Sequence, residues 1–268
     1  MRVIDDINEI KRIQLSILFA IDRYCRDNGI KYSLDYGTLL GSIRHKGFIP
    51  WDDDIDICLL REDYDKLENA FPDILDGKYV FLSLNRDKKW NRPYGVIYDN
   101  RTIEIEDSNY NYKGIGIGVD VFPIDEVSDC LSEFNALQRR RVPLAYLLNA
   151  KFLKIKKERG IYKNLCLLLI KTALLLFSPR FFACKIESLA KMQRKGGYIY
   201  HSSDTEVRLV KSCPKTVFDN YINVSFEGYP MQVMSGFDEY LTVLYGNYMV
   251  PPSEGDRGST HLFRAFWK

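Results

Sequence analysis

Four aspartates, Asp52, Asp53, Asp54 and Asp56, crowd the stretch "WDDDID" at the head of an apolar run, "IDICLL". Like charges this close raise one another's pKa unless a cation sits among them. A strand from about residue 53 to 60 would turn Asp54, Asp56 and Cys58 toward a cleft, and Ile55, Ile57 and Leu59 toward the core. Two carboxylates about 7 Å apart on one strand face suit a hard cation.

A third acid has a similar setting. In "GIGIGVDVFPIDEV" alternation puts Ile115, Ile117, Val119 and Val121 on one face and Gly114, Gly116, Gly118 and Asp120 on the other, with Pro123 closing the strand. Glycines beside an acid would leave room for a ligand. If the two strands are neighbours, Asp54, Asp56 and Asp120 form an oxygen-only site, which favours Mg²⁺ or Mn²⁺ over zinc and suits a phosphate-bearing substrate.

The segment "DYGTLLGSIRHKG" precedes the acids. Gly37 and Gly41 would let the backbone approach phosphate oxygens, a following helix N-terminus would offer N–H donors, and Thr38, Ser42, Arg44 and Lys46 would add to them. A lone DxD reads as a solvated turn; its density here, the glycine-rich stretch and the Asp120 strand together favour a cation site. Arg257 and His261, in the loop "VPPSEGDRGSTH", are further candidates for donor phosphates, weighed evenly against a plain structural loop. Tyr94, Trp51 and Trp90 are candidates for a quaternary-ammonium box, although core packing is the better reading for any one of them.

The elements that must carry these residues read as α/β. Apolar residues Ile10, Ile13, Ile17, Ile21 and Tyr24 recur at helical steps, with Gly29 as the stop. A short strand ends at Asp35, a helix covers about 38–45, "REDYDKLENAF" is helical, and "KYVFLSL", "YGVIYD" and "TIEIE" are strands. The expectation is a mixed sheet flanked by helices in residues 1–130, a helical basic lobe in 131–200, and a part in 201–268 that closes on the site.

Length, 46% hydrophobic and 28% charged residues describe an ordinary globular chain. Six scattered cysteines without a CxxC pair, and no cleavable apolar leader at "MRVIDDINEIKR", favour a cytoplasmic setting with neither zinc knuckle nor disulfide framework. Residues 139–163 hold nine Lys/Arg against Glu158 alone, a local balance of +8 in a chain of net charge +2. That asymmetry indicates a local anionic partner, a membrane surface at the inner face of the plasma membrane, rather than nucleic acid. The apolar run 165–177 is 13 residues broken by Lys171, too short for the roughly 20 that span a bilayer. A buried core helix is preferred for it over a helix resting on anionic lipid.

On "YGTLLGSIRHKGFIPWDDDIDICLLREDYDKL", "GVDVFPIDEV" and "FDEYLTVLYGNYMVPP" with His261 following, the chain resembles the LicD family, the bacterial phosphocholine-transferase group that includes fukutin-related proteins. The resemblance covers both ends of the chain, and the basic middle third carries little of its signature. It implies a nucleotidyltransferase-type fold in which Gly41 and Ser42 form the turn, Asp54 and Asp56 the metal pair and Asp120 the third acid. It further implies transfer of a phosphorylated alcohol, with CDP-choline the first expectation among CDP-alcohol donors, onto a sugar hydroxyl of a cell-surface glycan or its lipid-linked precursor. Asp120 is the expected general base, with Asp53 and Asp125 in reserve, while Asp35 is expected to hold the acceptor or to support the site residues from behind. Where the family's strand would carry a basic residue this chain has Val96, so Arg44, Lys46 or Arg101 would have to substitute. Two other readings stay open: nucleotidyl transfer from an NTP on the same metal, and a non-catalytic membrane-associated assembly protein.

Overall fold

The computed structural model describes residues 1–71, 77–109, 112–192, 196–205, 211–253 and 263–268. Its first half runs β1 (Arg2–Ile4), α1 (Ile7–Asp27), β2 (Ser33–Leu34), α2 (Tyr36–Arg44), β3 (Asp56–Leu60), α3 (Arg61–Ala70), β4 (Tyr79–Leu82), β5 (Gly95–Asp99), β6 (Thr102–Glu106) and β7 (Gly118–Val127). Three helices follow, α4 (Leu131–Phe152), α5 (Ile161–Ala173) and α6 (Pro179–Lys191). The chain ends with β8 (Tyr198–Tyr200), β9 (Ser212–Pro214), β10 (Tyr221–Phe226), β11 (Tyr229–Met234), α7 (Phe237–Tyr245) and β12 (Phe263–Trp267).

The main sheet has the order β2-β3-β7-β5-β4, with β3 parallel to β7 and the other pairs antiparallel. β8 and β9 extend it from the far half of β7. This is the expected mixed α/β arrangement. α1 packs its Ile10, Ile13, Ile17 and Ile21 stripe into the core, is capped at its start by Asp6 accepting from Asn8 N–H, and is followed by Gly29 at φ 66°. A separate three-stranded sheet, β1-β12-β6, joins the two chain ends, and the β10–β11 hairpin lies against β2. One apolar core takes residues from Ile4 through Ile57 and Val121 to Leu241 and Ala265, so the first and last thirds share an interior.

Three expectations need correction. β7 does not stop at Pro123 but continues to Val127. Asp120 N–H donates to Ile55 O (3.0 Å), so along β7 even-numbered N–H groups face β3 and odd-numbered ones face β5 and β8. Pro123 is on the odd side, between the last pair with β5 (Gly95↔Val121) and the first with β8 (Asp125↔Tyr200), where its missing N–H costs no ladder bond. Second, β3 begins at Asp56 rather than near residue 53, and Ile57, Cys58 and Leu59 are all fully buried, because the strand has neighbours on both sides and both faces covered.

Third, the apolar run 165–177 is not a core helix: Leu167 is the one buried residue of α5, while Leu165, Leu168, Leu169, Leu175 and Leu176 are exposed. The core of this lobe is made instead by α4 and α6, through Ala145, Leu148, Phe182, Ala183 and Ile186. No described helix is long and apolar enough to cross a membrane. All six cysteines are free; Cys25, Cys58 and Cys213 are core residues, Cys166 and Cys184 are half-buried and Cys130 is exposed.

Candidate active site

The acidic turn is pinned from three directions. Asp35, the residue before α2, caps that helix by accepting from Tyr36 N–H (2.8 Å), and its own N–H donates to Asp56 O (3.0 Å). Thr38 Oγ1, three residues further on, accepts from Asp56 N–H (2.9 Å). Gln14, a buried amide within the isoleucine stripe of α1, donates from Nε2 to Asp53 O (3.0 Å). Asp56 then enters the sheet directly opposite Asp120, which is flanked on its other side by Val96. The register makes the two strands neighbours, the condition on which the sequence reading of these acids depended.

Burial drives the Asp56 carboxyl well above the usual carboxylate range, and the like charges of Asp54, Asp120, Asp35 and Asp52 push it the same way. A cavity of about 390 Å³ opens beside Asp120, lined also by Asp53, Asp54, Ile55 and Gln14, whereas Asp56 is buried and does not line it. Its opposite wall comes from Arg92 and Tyr94 before β5, Glu104 and Glu106 of β6, and Lys156. Arg92 donates from Nη1 to Tyr94 Oη (3.0 Å) and pairs with Glu106. Burial opposes the Arg92 charge, but Tyr94, Glu106 and Asp120 more than offset this and raise its pKa.

A second lobe of about 300 Å³ shares Arg92, Tyr94 and Lys156 and adds Phe152, Lys154 and Arg159. Lys154 and Lys156 both pair with Asp107, which holds the Asp107 carboxyl down at about 2. The cleft is therefore acidic at the sheet and basic at the helical lobe.

Among the expected donor-binding residues, several have structural roles. The Cβ of a residue at Gly41 would stand 2.4 Å from Gly47 O, and at Gly37 2.3 Å from Asp52 Oδ2, so close passage of the 47–52 loop accounts for both glycines. Ser42 Oγ donates to Leu39 O (2.7 Å) inside α2. Arg44 donates to Tyr248 O (2.8 Å), and Lys46, at φ 64°, accepts through its carbonyl from Glu227 N–H (2.9 Å). Arg101 is engaged by Asp99. None of these lines the cavity; where Val96 leaves a basic residue wanting, the cations present are Arg92 and Lys156. Gly116 and Gly118 do line it, yet a Cβ at either would meet Asp99 O (2.2 Å) or Val96 Cγ1 (2.7 Å), so neighbouring strand atoms fill the space expected for a ligand. Asp125 is tied to Arg61 (2.6 Å) and accepts from Ser202, a structural role. Asp35 is fully buried against Tyr240 and His201. Trp90 is buried and Trp51 packs against His45, so the three aromatics do not form one box, and Arg92 already lies near the Trp90 and Tyr94 rings. Arg257 and His261 lie outside the described residues.

Sequence reading missed Gln14, Arg92 and Lys156. Gln14 was legible as the polar interruption of an isoleucine stripe; Arg92 and Lys156 had no local signal, since chain reversal alone brings them across from Asp120. What the site offers a hard cation is carboxylates alone, with Asp56 buried and repelled by its neighbours. Among the described residues no group of three or more His, Cys, Asp or Glu side chains is arranged so that it could hold a metal ion as it stands.

A model of the LicD/FKTN/FKRP nucleotidyltransferase domain matches residues 29–156. Over 272 aligned residues, 97% of each chain, the sequence is 31% identical to the lipopolysaccharide cholinephosphotransferase LicD of Haemophilus influenzae. An uncharacterized protein of Rickettsia typhi is 34% identical over 106 residues, 36% of this chain and 32% of its own. One of Rickettsia prowazekii is 51% identical over 69 residues, 26% of this chain and 23% of its own.

Proposed function

The chain belongs to the LicD family, and from that premise we propose that it is a phosphotransferase moving phosphocholine from CDP-choline to a sugar hydroxyl of a cell-surface glycan or its lipid-linked precursor, with release of CMP. The observation that carries this reading is the register pairing of Asp56 with Asp120, which lines a cavity together with Asp53, Asp54 and Arg92. It is supported by the near full-length similarity to a cholinephosphotransferase.

In this reading Asp54, Asp56 and Asp120 would hold Mg²⁺, or Mn²⁺, which when bound neutralises the donor diphosphate and the leaving CMP. Arg92 would hold a phosphate oxygen from the opposite wall and balance the charge of Asp120. The acceptor oxygen would attack the choline-bearing phosphorus, the bond from that phosphorus to CMP would break, and Asp120 would take the hydroxyl proton. Tyr94 and the hydrocarbon of Phe152 would exclude water from the basic end.

The test is product analysis with Mg²⁺, a glycan acceptor and either CDP-choline or CTP. CMP appearing in step with phosphocholine on the glycan supports the proposal, and Asp120→Asn should slow it by about 10²–10⁴-fold. Pyrophosphate from CTP, with CDP-choline inert, would instead establish nucleotidyl transfer.

A further inference from the structure

Helix α5 turns an apolar side outward. Ile161 is 90% exposed and Leu176, in the turn after the helix, 95%; Tyr162, Leu165, Leu168 and Leu169 lie exposed between them. Leu153 and Ile155, on the connection from α4, are exposed as well. Isolated apolar residues at a surface mean little, but a continuous set of this size marks an interaction face. At 13 residues α5 cannot cross a bilayer, so what covers it must be reached along the surface.

Charge identifies the occupant. Residues 159–186 contain no Asp or Glu and five Lys/Arg. Lys163 is exposed within the apolar set itself, and Lys157 stands just before it. Protein–protein interface cores are depleted in lysine, whereas at a bilayer surface a lysine stem lies along acyl chains while its ammonium reaches the headgroups. We propose that α5 and its flanking turns dock this chain on an anionic phospholipid surface, with the apolar side sunk into the headgroup boundary and Lys157 and Lys163 at the anionic lipids.

The placement has a consequence for the cleft. The connection that exposes Leu153 and Ile155 also supplies Lys154, Lys156 and Arg159 to the basic lobe. A bilayer under α5 would lie beside the basic end of the cleft, where a lipid-linked acceptor would arrive. The docking face itself does not depend on the transfer reading.

The experiment is co-sedimentation of the full chain with phosphatidylglycerol-containing vesicles and with pure phosphatidylcholine vesicles, at low and high salt. Two variants accompany it, Leu165→Ser/Leu168→Ser/Leu169→Ser and Lys157→Glu/Lys163→Glu; all five positions are exposed, and thermal melts check that both variants fold. The proposal predicts salt-sensitive binding to the anionic vesicles, weakened by about tenfold or more in each variant. It is overturned by absence of binding to anionic vesicles, by unchanged binding in both variants, or by a solution dimer that the leucine variant dissolves, which would give the face to a second copy. No turnover is read, so this outcome and that of the transfer assay are separate.

Discussion

Asp56 is buried, faces Asp120 across the sheet and feels the charge of Asp54, and in the absence of a cation these contacts favour its protonated form. Because its folded pKa is raised above the unfolded value, the folded state binds the extra proton. Stability is therefore greatest below the ordinary carboxylate range and falls as pH rises from there through the raised pKa. Asp56→Asn removes the ionising group without removing the shape. Metal-free Asp56→Asn should melt above the metal-free wild type at neutral pH, and the two should converge in acid. Mg²⁺ should raise the wild-type Tm at neutral pH and leave the variant unmoved. A variant that melts below wild type at neutral pH in chelator would contradict the repulsion on which the cation site rests.

At the scale of elements, α2 and the loop after it hold the start of β3. At Gly41 the obstacle is backbone, with Gly47 O 2.4 Å from where a Cβ would be. Gly41→Ala should destabilise the fold by about 1–3 kcal/mol, since backbone must shift to admit one methyl group; a urea melt measures it, and a change under about 0.5 kcal/mol, the ordinary range of surface substitutions, would contradict the packing role. The elements were largely legible: period 3.6 in α1, strand-forming runs at β4 to β6, and a DxD at a strand head. What was not legible came from tertiary contact. Pro123 passes within a strand because β5 ends and β8 begins around it, α5 looked like core because apolar content does not say whether a partner helix lies on top, and Gly41 looked like a phosphate turn because only the folded loop reveals what it touches. That the acids converge depended on their strands being neighbours, which only the register of β3 with β7 supplies, and the cations lining the same cavity were not foreseen.

For the whole molecule, the sheet and the helical lobe are joined by Arg61 at the start of α3. It pairs with Asp125 of β7 (2.6 Å) and Glu187 of α6 (2.8 Å), with all three side chains largely buried. Removing one member strands the others, so Arg61→Met should cost about 3–5 kcal/mol and lower the Tm. Donor affinity of the folded fraction should hold, because none of the three lines the cavity. If instead affinity drops while the Tm stays, the triad belongs to the site rather than to the scaffold. The basic wall of the cleft is carried by the lobe that this triad anchors, which makes the acid and base ends of the site a property of the assembled chain.

The central claim is that the carboxylates at the head of β3 and on β7 bind the donor through a divalent cation. Calorimetric titration of CDP-choline into the full chain, with Mg²⁺ and then with chelator, tests it most directly. Binding that needs Mg²⁺ and is lost in both Asp54→Asn and Asp120→Asn is the predicted result. Binding of equal strength in chelator, or undiminished in the two variants, would contradict it.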